Sequence, residues 1–236
     1  MGRRDALTEL LEDARLRIGL RPRGFSNFSG MLAKRIKKRA RALGLEGGTI
    51  DAYRAYLQTH DEEWSELDVI CRVTISRLYR DAPVMDEIAR NVLPNARRVW
   101  SAGCASGEEP WTIALIAPHV EIVATDIDAA LMERAKKAEF EESSLRELPT
   151  HLRAKLADEE QREAIRARIT FLVQDLRKEA PAGPFDLVLC RNVAFTYFDV
   201  PLQREALRRI ESVLAPGGHL VIGKGESLPP PLPSNP

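Results

Sequence analysis

Up to Pro94 the apolar positions of the chain recur every three or four residues, the period of a helix with one buried face. The segments ALTELLEDARLRI (6–18), FSGMLAKRIKKRARAL (28–43), TIDAYRAYLQTH (49–60), EEWSELDVICRV (62–73) and APVMDEIARNVL (82–93) all carry this pattern. Thr49 stands where a helix takes an N-cap, and Gly47-Gly48 and Pro94 punctuate the joins. From Arg97 onward the period changes. RRVWSA (97–102), EIVATD (121–126), ITFLVQD (169–175), FDLVLC (185–190) and HLVIG (219–223) are short apolar runs rich in β-branched residues. Helical patterns separate them: PWTIALIAPH (110–119), DAALMERAKKAEF (128–140) and PLQREALRRIESVL (201–214). Strands alternating with helices predict βαβ units and a mostly parallel sheet buried on both faces. APGGH (215–219) is expected to stop a helix and turn before the last strand, and the Pro-rich end LPPPLPSNP to be irregular.

Composition narrows the function classes. A formal net charge of +0 argues against an electrostatic nucleic-acid binder. The charge is uneven, however: KRIKKRAR (34–41) is either a solvated helix face or, with Arg21 and Arg23, a docking surface for an acidic partner. The three cysteines, Cys71, Cys104 and Cys190, form no CxxC pair and lie near no histidine at metal spacing, so no metal site or disulfide framework is expected. No apolar stretch has the length of a membrane span, and the N-terminus lacks the apolar heart of a signal peptide. A cytoplasmic location and no membrane insertion are the corresponding expectations.

Ligands of open parallel sheets bind beyond the carboxyl ends of the strands. Three loops fall there: AGCASGEE, TDID and QDL. Gly103 and Gly107 allow close backbone approach, yet their G-x-x-x-G spacing is neither a dinucleotide fingerprint nor a P-loop. Anionic phosphates would meet Glu108 and Glu109, whereas a cationic centre would be welcome. Asp126 is placed to accept from ribose hydroxyls and Asp175 from an adenine amino group. Ribose, adenine and a cationic end without phosphate describe S-adenosyl-L-methionine (SAM). On spacing alone a nicotinamide cofactor stays open, since it too needs the ribose acid, and each acid can also be a helix cap. Glu109 is expected to cap the helix rather than bind ligand.

The stretches WSAGCASGEEPWTIAL, ATDIDAALMERAKKAEF with LRELP, and FDLVLCRNVAFTYFDVPLQREALRRIESVLAPGGHLVIGKGESL together resemble the CheR-type chemoreceptor methyltransferases. VTISRLYRDAPVMDEI resembles the arginine-bearing segment of that family's helical domain. The resemblance implies a helical domain (1–94), a Rossmann-like class I SAM methyltransferase domain (95–228) and a tail (229–236). It implies transfer of a methyl group to a protein glutamate. It assigns Ala102, Gly103, Glu108, Asp126, Ile127, Asp175, Leu176, Asn192 and Val193 to the cofactor, and Arg80 and Tyr197 to the acceptor carboxylate. The implied partner is an acidic helical protein such as a chemoreceptor signalling domain.

Three departures from the family pattern stand out. Residues 150–168 are short, charged and helix-prone where the family often carries a small β-subdomain. RNVAFTYFD is one residue longer than expected, and Tyr197 and Phe198 can equally be core aromatics. The strands that usually follow GKGES are absent, which predicts an open sheet edge available to a second copy or to the tail. Two alternatives to glutamate methylation follow: the same chemistry on another protein or a small molecule, or a SAM-binding interaction module without turnover. In calorimetric titrations, SAM and S-adenosylhomocysteine are expected to bind in the micromolar range and NAD not at all; binding of NAD instead would overturn the cofactor assignment.

Overall fold

The computed structural model describes residues 5–231. Its elements divide into two compact units, and the boundary differs from the expected one. One unit comprises the described residues up to Val73 together with Phe195–Gln203; the other comprises Thr74–Ala194 and the described residues from Arg204 onward. The division falls near residue 74 rather than 94 because the helix Ala82–Asn91 buries Met85 and Ile88 in the core of the sheet unit.

In the first unit, α1 (Ala6–Ile18), α2 (Ser29–Ala42), α3 (Ile50–Leu57) and α4 (Glu63–Cys71) enclose a core of Leu10, Leu32, Ile36, Tyr53, Leu57 and Leu67. Thr49 caps α3 as expected, its hydroxyl accepting from Ala52 N at 3.1 Å. A 3-10 turn, Pro22–Phe28, leads into α2. The basic run of α2 is divided by its own helical period. Arg35 donates to the carbonyls of Ile70 (3.1 Å) and Arg72 (2.7 Å), and Arg39 grips Glu63, while Lys34, Lys37, Lys38 and Arg41 are exposed.

Glu63 is a buried carboxylate that joins three helices. It accepts Nε and Nη2 of Arg39, both at 2.8 Å, and the Tyr53 hydroxyl at 2.7 Å. The forked Arg39 contact is geometrically specific and charge-assisted. It holds the Glu63 carboxyl below its ordinary pKa, while burial and the Glu63 bond push the Tyr53 phenol upward.

The second unit holds the sheet. Its strands are β1 (Arg98–Ala102), β2 (Glu121–Asp126), β3 (Ile169–Val173), β4 (Phe185–Cys190) and β5 (Leu214–Ile222). All pair in parallel, in the order β3-β2-β1-β4-β5. Helices α5 (Ala82–Asn91), α6 (Glu108–Ile116), α7 (Ala129–Lys137), α8 (Thr150–Ala157) and α9 (Glu159–Arg166) belong to this unit; the short α10 (Ala194–Tyr197) and α11 (Val200–Val213) come after β4, and their Phe195–Gln203 stretch belongs to the first unit. This is the expected doubly wound α/β arrangement. Among the described residues, no strand lies between β2 and β3; the charged 150–168 stretch forms α8 and α9 instead. Asp158 caps α9, its carboxylate accepting from Gln161 N at 2.9 Å.

One expectation needs correction. The 215–219 segment is not a turn ahead of the last strand but lies inside β5. Leu214 pairs with Phe185 and His219 with Leu187, so the intervening residues bulge out of the ladder. Pairing of Leu214 beside the buried Phe185 starts the strand early, and the two glycines of the bulge accommodate the surplus. β5 has a strand partner on one side only among the described residues. Arg204 holds the tail by donating to the Pro230 carbonyl at 3.1 and 3.2 Å; residues 232–236 of the expected irregular tail lie outside the described residues. Among the described residues, no helix is long and apolar enough to cross a membrane.

The Glu63 cluster sets a pH dependence. A carboxyl whose folded pKa lies below its unfolded value of about 4.3 stabilises the fold above that value, and the contribution is lost as pH falls through the folded pKa. Denaturation of the full chain between pH 7 and 3 is expected to show this loss. Glu63→Gln should lower stability at pH 7 by about 2–4 kcal/mol and flatten the acid limb; an unchanged acid limb would show that the cluster contributes no linkage.

Candidate active site

The sheet order reverses at β1, and doubly wound folds bind ligands outside the carboxyl ends of the strands at such a point. The loop after β1 is tied to the end of β2. Gly103 N and Cys104 N both donate to the Thr125 carbonyl, at 2.7 and 3.0 Å. Ala105 N then donates to Asp126 Oδ2 at 2.9 Å, and Asp128 N to Oδ1 at 3.0 Å. The loop after β3 joins through Gln174 N to the Asp126 carbonyl, at 3.0 Å. The loop after β4 touches the first loop: a Cβ added to Gly103 would stand 2.6 and 2.8 Å from the methyls of Val193.

The expected cofactor residues therefore converge. Ala102 ends β1 in full burial; Gly103 turns the loop at φ +71°; Asp126 and Ile127 follow β2; Asp175 and Leu176 follow β3; Asn192 and Val193 follow β4. Asp175 closes a turn by accepting from Arg177 N at 2.9 Å and pairs with Arg177 Nε at 3.0 Å. Asn192 adopts φ +58°, and its backbone N donates to Glu226 at 2.8 Å, so the GES segment closes this loop.

The start of α6 differs from expectation at Glu109. Gly107, at φ +91°, is the N-cap of α6, and neither acid caps it with its side chain. A Cβ at Gly107 would lie 2.7 Å from that of Ala135, so the turn packs directly on α7. Glu108 is 3% exposed and accepts the Ser106 hydroxyl at 2.9 Å and the Ser144 hydroxyl at 3.3 Å. Glu109 accepts from Ser101 at 2.7 Å and pairs with Arg191 Nη1 at 3.1 Å. The expected capping role of Glu109 thus gives way to a part-buried ion pair, because Ser101 of β1 and Arg191 just beyond β4 face the first turn of α6.

Arg80 also belongs to this unit. It lies between Tyr79 and Asp81, both left-handed at φ +60°, and Arg191 donates to its carbonyl at 3.2 Å. Tyr197 is grouped with the first unit instead. Its ring packs on Phe25 with centroids 5.2 Å apart, and its carbonyl accepts from Arg21 N at 2.7 Å. Ser106, Ser144, Arg191 and Glu226 were not assigned from the sequence. Arg191 had a signal, a charge closing an apolar strand; the two serines had none.

The donor set fits SAM. Carboxylates dominate the loop ends, with Glu108 buried beneath the first loop, and this favours a cationic methionyl end over a phosphate. The comparisons agree. Residues 74–234 match the family described as CheR methyltransferase, SAM binding domain. The chemotaxis protein methyltransferase of Klebsiella aerogenes is 31% identical over 84% of this chain and 75% of its own length. Chemotaxis protein methyltransferase 1 of Pseudomonas aeruginosa is 28% identical over 86% and 84%. Chemotaxis protein methyltransferase Cher2 of Pseudomonas putida is 30% identical over 84% and 75%. The domain is that of a SAM-dependent methyltransferase. More particularly, the chain belongs to the CheR methyltransferase family, and its cofactor is SAM.

Gly103→Ala places a Cβ against Val193 in a left-handed backbone. It should lower stability by about 1–3 kcal/mol and weaken SAM binding about tenfold, roughly 1.4 kcal/mol. Adding Val193→Ala should recover only the steric part. Parent-like melting and calorimetric affinity in Gly103→Ala would contradict the close approach.

Proposed function

We propose that the chain transfers the methyl group of SAM to a glutamate side chain of an acidic helical protein of the chemoreceptor type. What carries this reading is the alignment of more than four-fifths of the chain with proteins named chemotaxis protein methyltransferases. SAM supplies a methyl group on a sulfonium, which leaves as a neutral thioether when a carboxylate oxygen takes the methyl and becomes a methyl ester. A glutamate is already ionised at neutral pH, with a pKa of about 4.3, so the chain supplies alignment and exclusion of water rather than a base.

Each residue then has a defined task. Asp126 accepts from the ribose hydroxyls, with Ala102, Gly103 and Ile127 lining the adenosine. Asp175 and Leu176 flank the adenine. Glu108, which accepts the Ser106 hydroxyl beneath the first loop, favours the cationic methionyl end. Asn192 and Val193 form the opposite wall. Arg80 offers a forked donor to the acceptor carboxylate, a geometry that suits arginine. The exposed Lys34, Lys37, Lys38 and Arg41 dock the acidic partner. The α8–α9 pair, standing where a receptor-gripping β-subdomain is often found, favours a second reading: the same chemistry on a different protein acceptor.

The test is incubation with methyl-labelled SAM and a cytoplasmic chemoreceptor signalling fragment. Alkali-labile label on the fragment, lost when its acceptor glutamates become glutamines, is the expected result. Lys37→Glu with Lys38→Glu should lower kcat/KM about tenfold, and more at low salt, without changing SAM affinity. Intact SAM binding with no labelled fragment would move the reading to another acceptor.

A further inference from the structure

We propose that Arg191 is a positioning residue whose buried guanidinium clamps the left-handed Tyr79–Asp81 segment and thereby aims Arg80. The proposal rests on the assignment of Arg80 to the acceptor carboxylate.

Arg191 follows β4 directly, and its side chain is 4% exposed. Nη1 pairs with Glu109 at 3.1 Å; Nη2 donates to the Arg80 carbonyl at 3.2 Å and to the Asp81 carboxylate. Its Nε is buried without a hydrogen-bond partner among the described residues, so the two Nη groups alone orient the head. One planar cation thus spans the first turn of α6 and both sides of the Arg80–Asp81 peptide.

The clamped segment would not hold its shape unaided. Tyr79 and Asp81 both sit at φ +60°, a conformation that side chains with a Cβ rarely adopt. Further ties fix the near side: Leu78 N donates to the Ser144 carbonyl at 2.9 Å, Tyr79 N to Thr112 Oγ1 at 2.9 Å, and the Tyr79 hydroxyl to Asp86 at 2.6 Å. The far side is held by Arg191 through the Arg80 carbonyl and the Asp81 carboxylate, and by the first turn of α5, where Val84 N donates to the Asp81 carbonyl at 2.7 Å. Arg80's own guanidinium makes only a 3.4 Å contact with the Ile75 carbonyl among the described residues. A fixed backbone carrying a lightly held donor suits a residue that must meet a transient ligand.

Stability alone does not call for this arrangement. Buried ion pairs are weak stabilisers, because desolvation offsets their attraction, whereas their geometry is exacting. Lysine keeps the charge but offers a compact point donor that cannot serve three separated acceptors as a planar fork does.

The test uses the full chain, with Arg191→Lys and Asp81→Asn as separate variants. Asp81 is 32% exposed at its side chain, so its variant tests the clamp even if the other folds poorly. In both, amide exchange at residues 79–81 should rise about tenfold. With methyl-labelled SAM and the chemoreceptor fragment, kcat should fall about thirtyfold while the KM for SAM stays within about twofold. Asp81→Asn should cause no further loss in an Arg80→Ala background, since both changes act through one donor. Unchanged exchange at 79–81, or a loss that adds fully to that of Arg80→Ala, would overturn the clamp. An Arg80→Ala variant with the parental rate would instead overturn the assignment of Arg80 to the acceptor.

Discussion

Two backbone N–H groups, those of Gly103 and Cys104, converge on the single carbonyl of Thr125. The rest of the site depends on that convergence. It bends the chain leaving β1 over the end of β2, and this brings Ala105 N onto the Asp126 carboxylate and Gly103 against Val193. Parallel pairing makes it available, because β1 and β2 run side by side in register from Arg98 and Glu121 to Ala102 and Thr125. Burial of the sheet then requires those polar groups to be satisfied within the protein.

Above this frame the chemistry is that of carboxylates held by hydrogen bonds at a loop cluster. Glu108 is satisfied by two serine hydroxyls, and Glu109 by a hydroxyl and a guanidinium. An ionised carboxylate left without partners in such a place would be costly. Each unit also contains an ion pair with one buried partner, the acid Glu63 in the first and the arginine Arg191 in the second. Arg39 with Glu63 ties three helices of the first unit together, while Arg191 with Glu109 and Asp81 ties a strand end, a helix start and a strained segment in the second. The same interaction supports a core in one place and sets a geometry in the other.

The helix α2 shows how one basic run can serve two tasks. Residues one turn apart share a face, so Arg35 and Arg39 point to carbonyls and a carboxylate of their own unit while Lys37, Lys38 and Arg41 face solvent. Long side chains with polar ends make this possible, since their stems cover apolar surface.

The sequence by itself determined the elements and their class. Helical periodicity up to Pro94, β-branched runs after it, and acids closing the strands were enough to place Asp126, Asp175 and the GEEP turn at one end of a parallel sheet, because periodicity and strand ends are local properties. Tertiary structure decided what depends on residues far apart in the chain. The partner of Glu109 is Arg191, 82 positions away, and one partner of Glu108 is Ser144, 36 away, and neither acid's neighbours reveal it. The early start of β5 came from pairing with β4, and the first unit took in Phe195–Gln203 from a stretch that reads locally as a loop and a helix. Side-chain partners of a buried charge are chosen by packing among distant elements, which no single segment encodes.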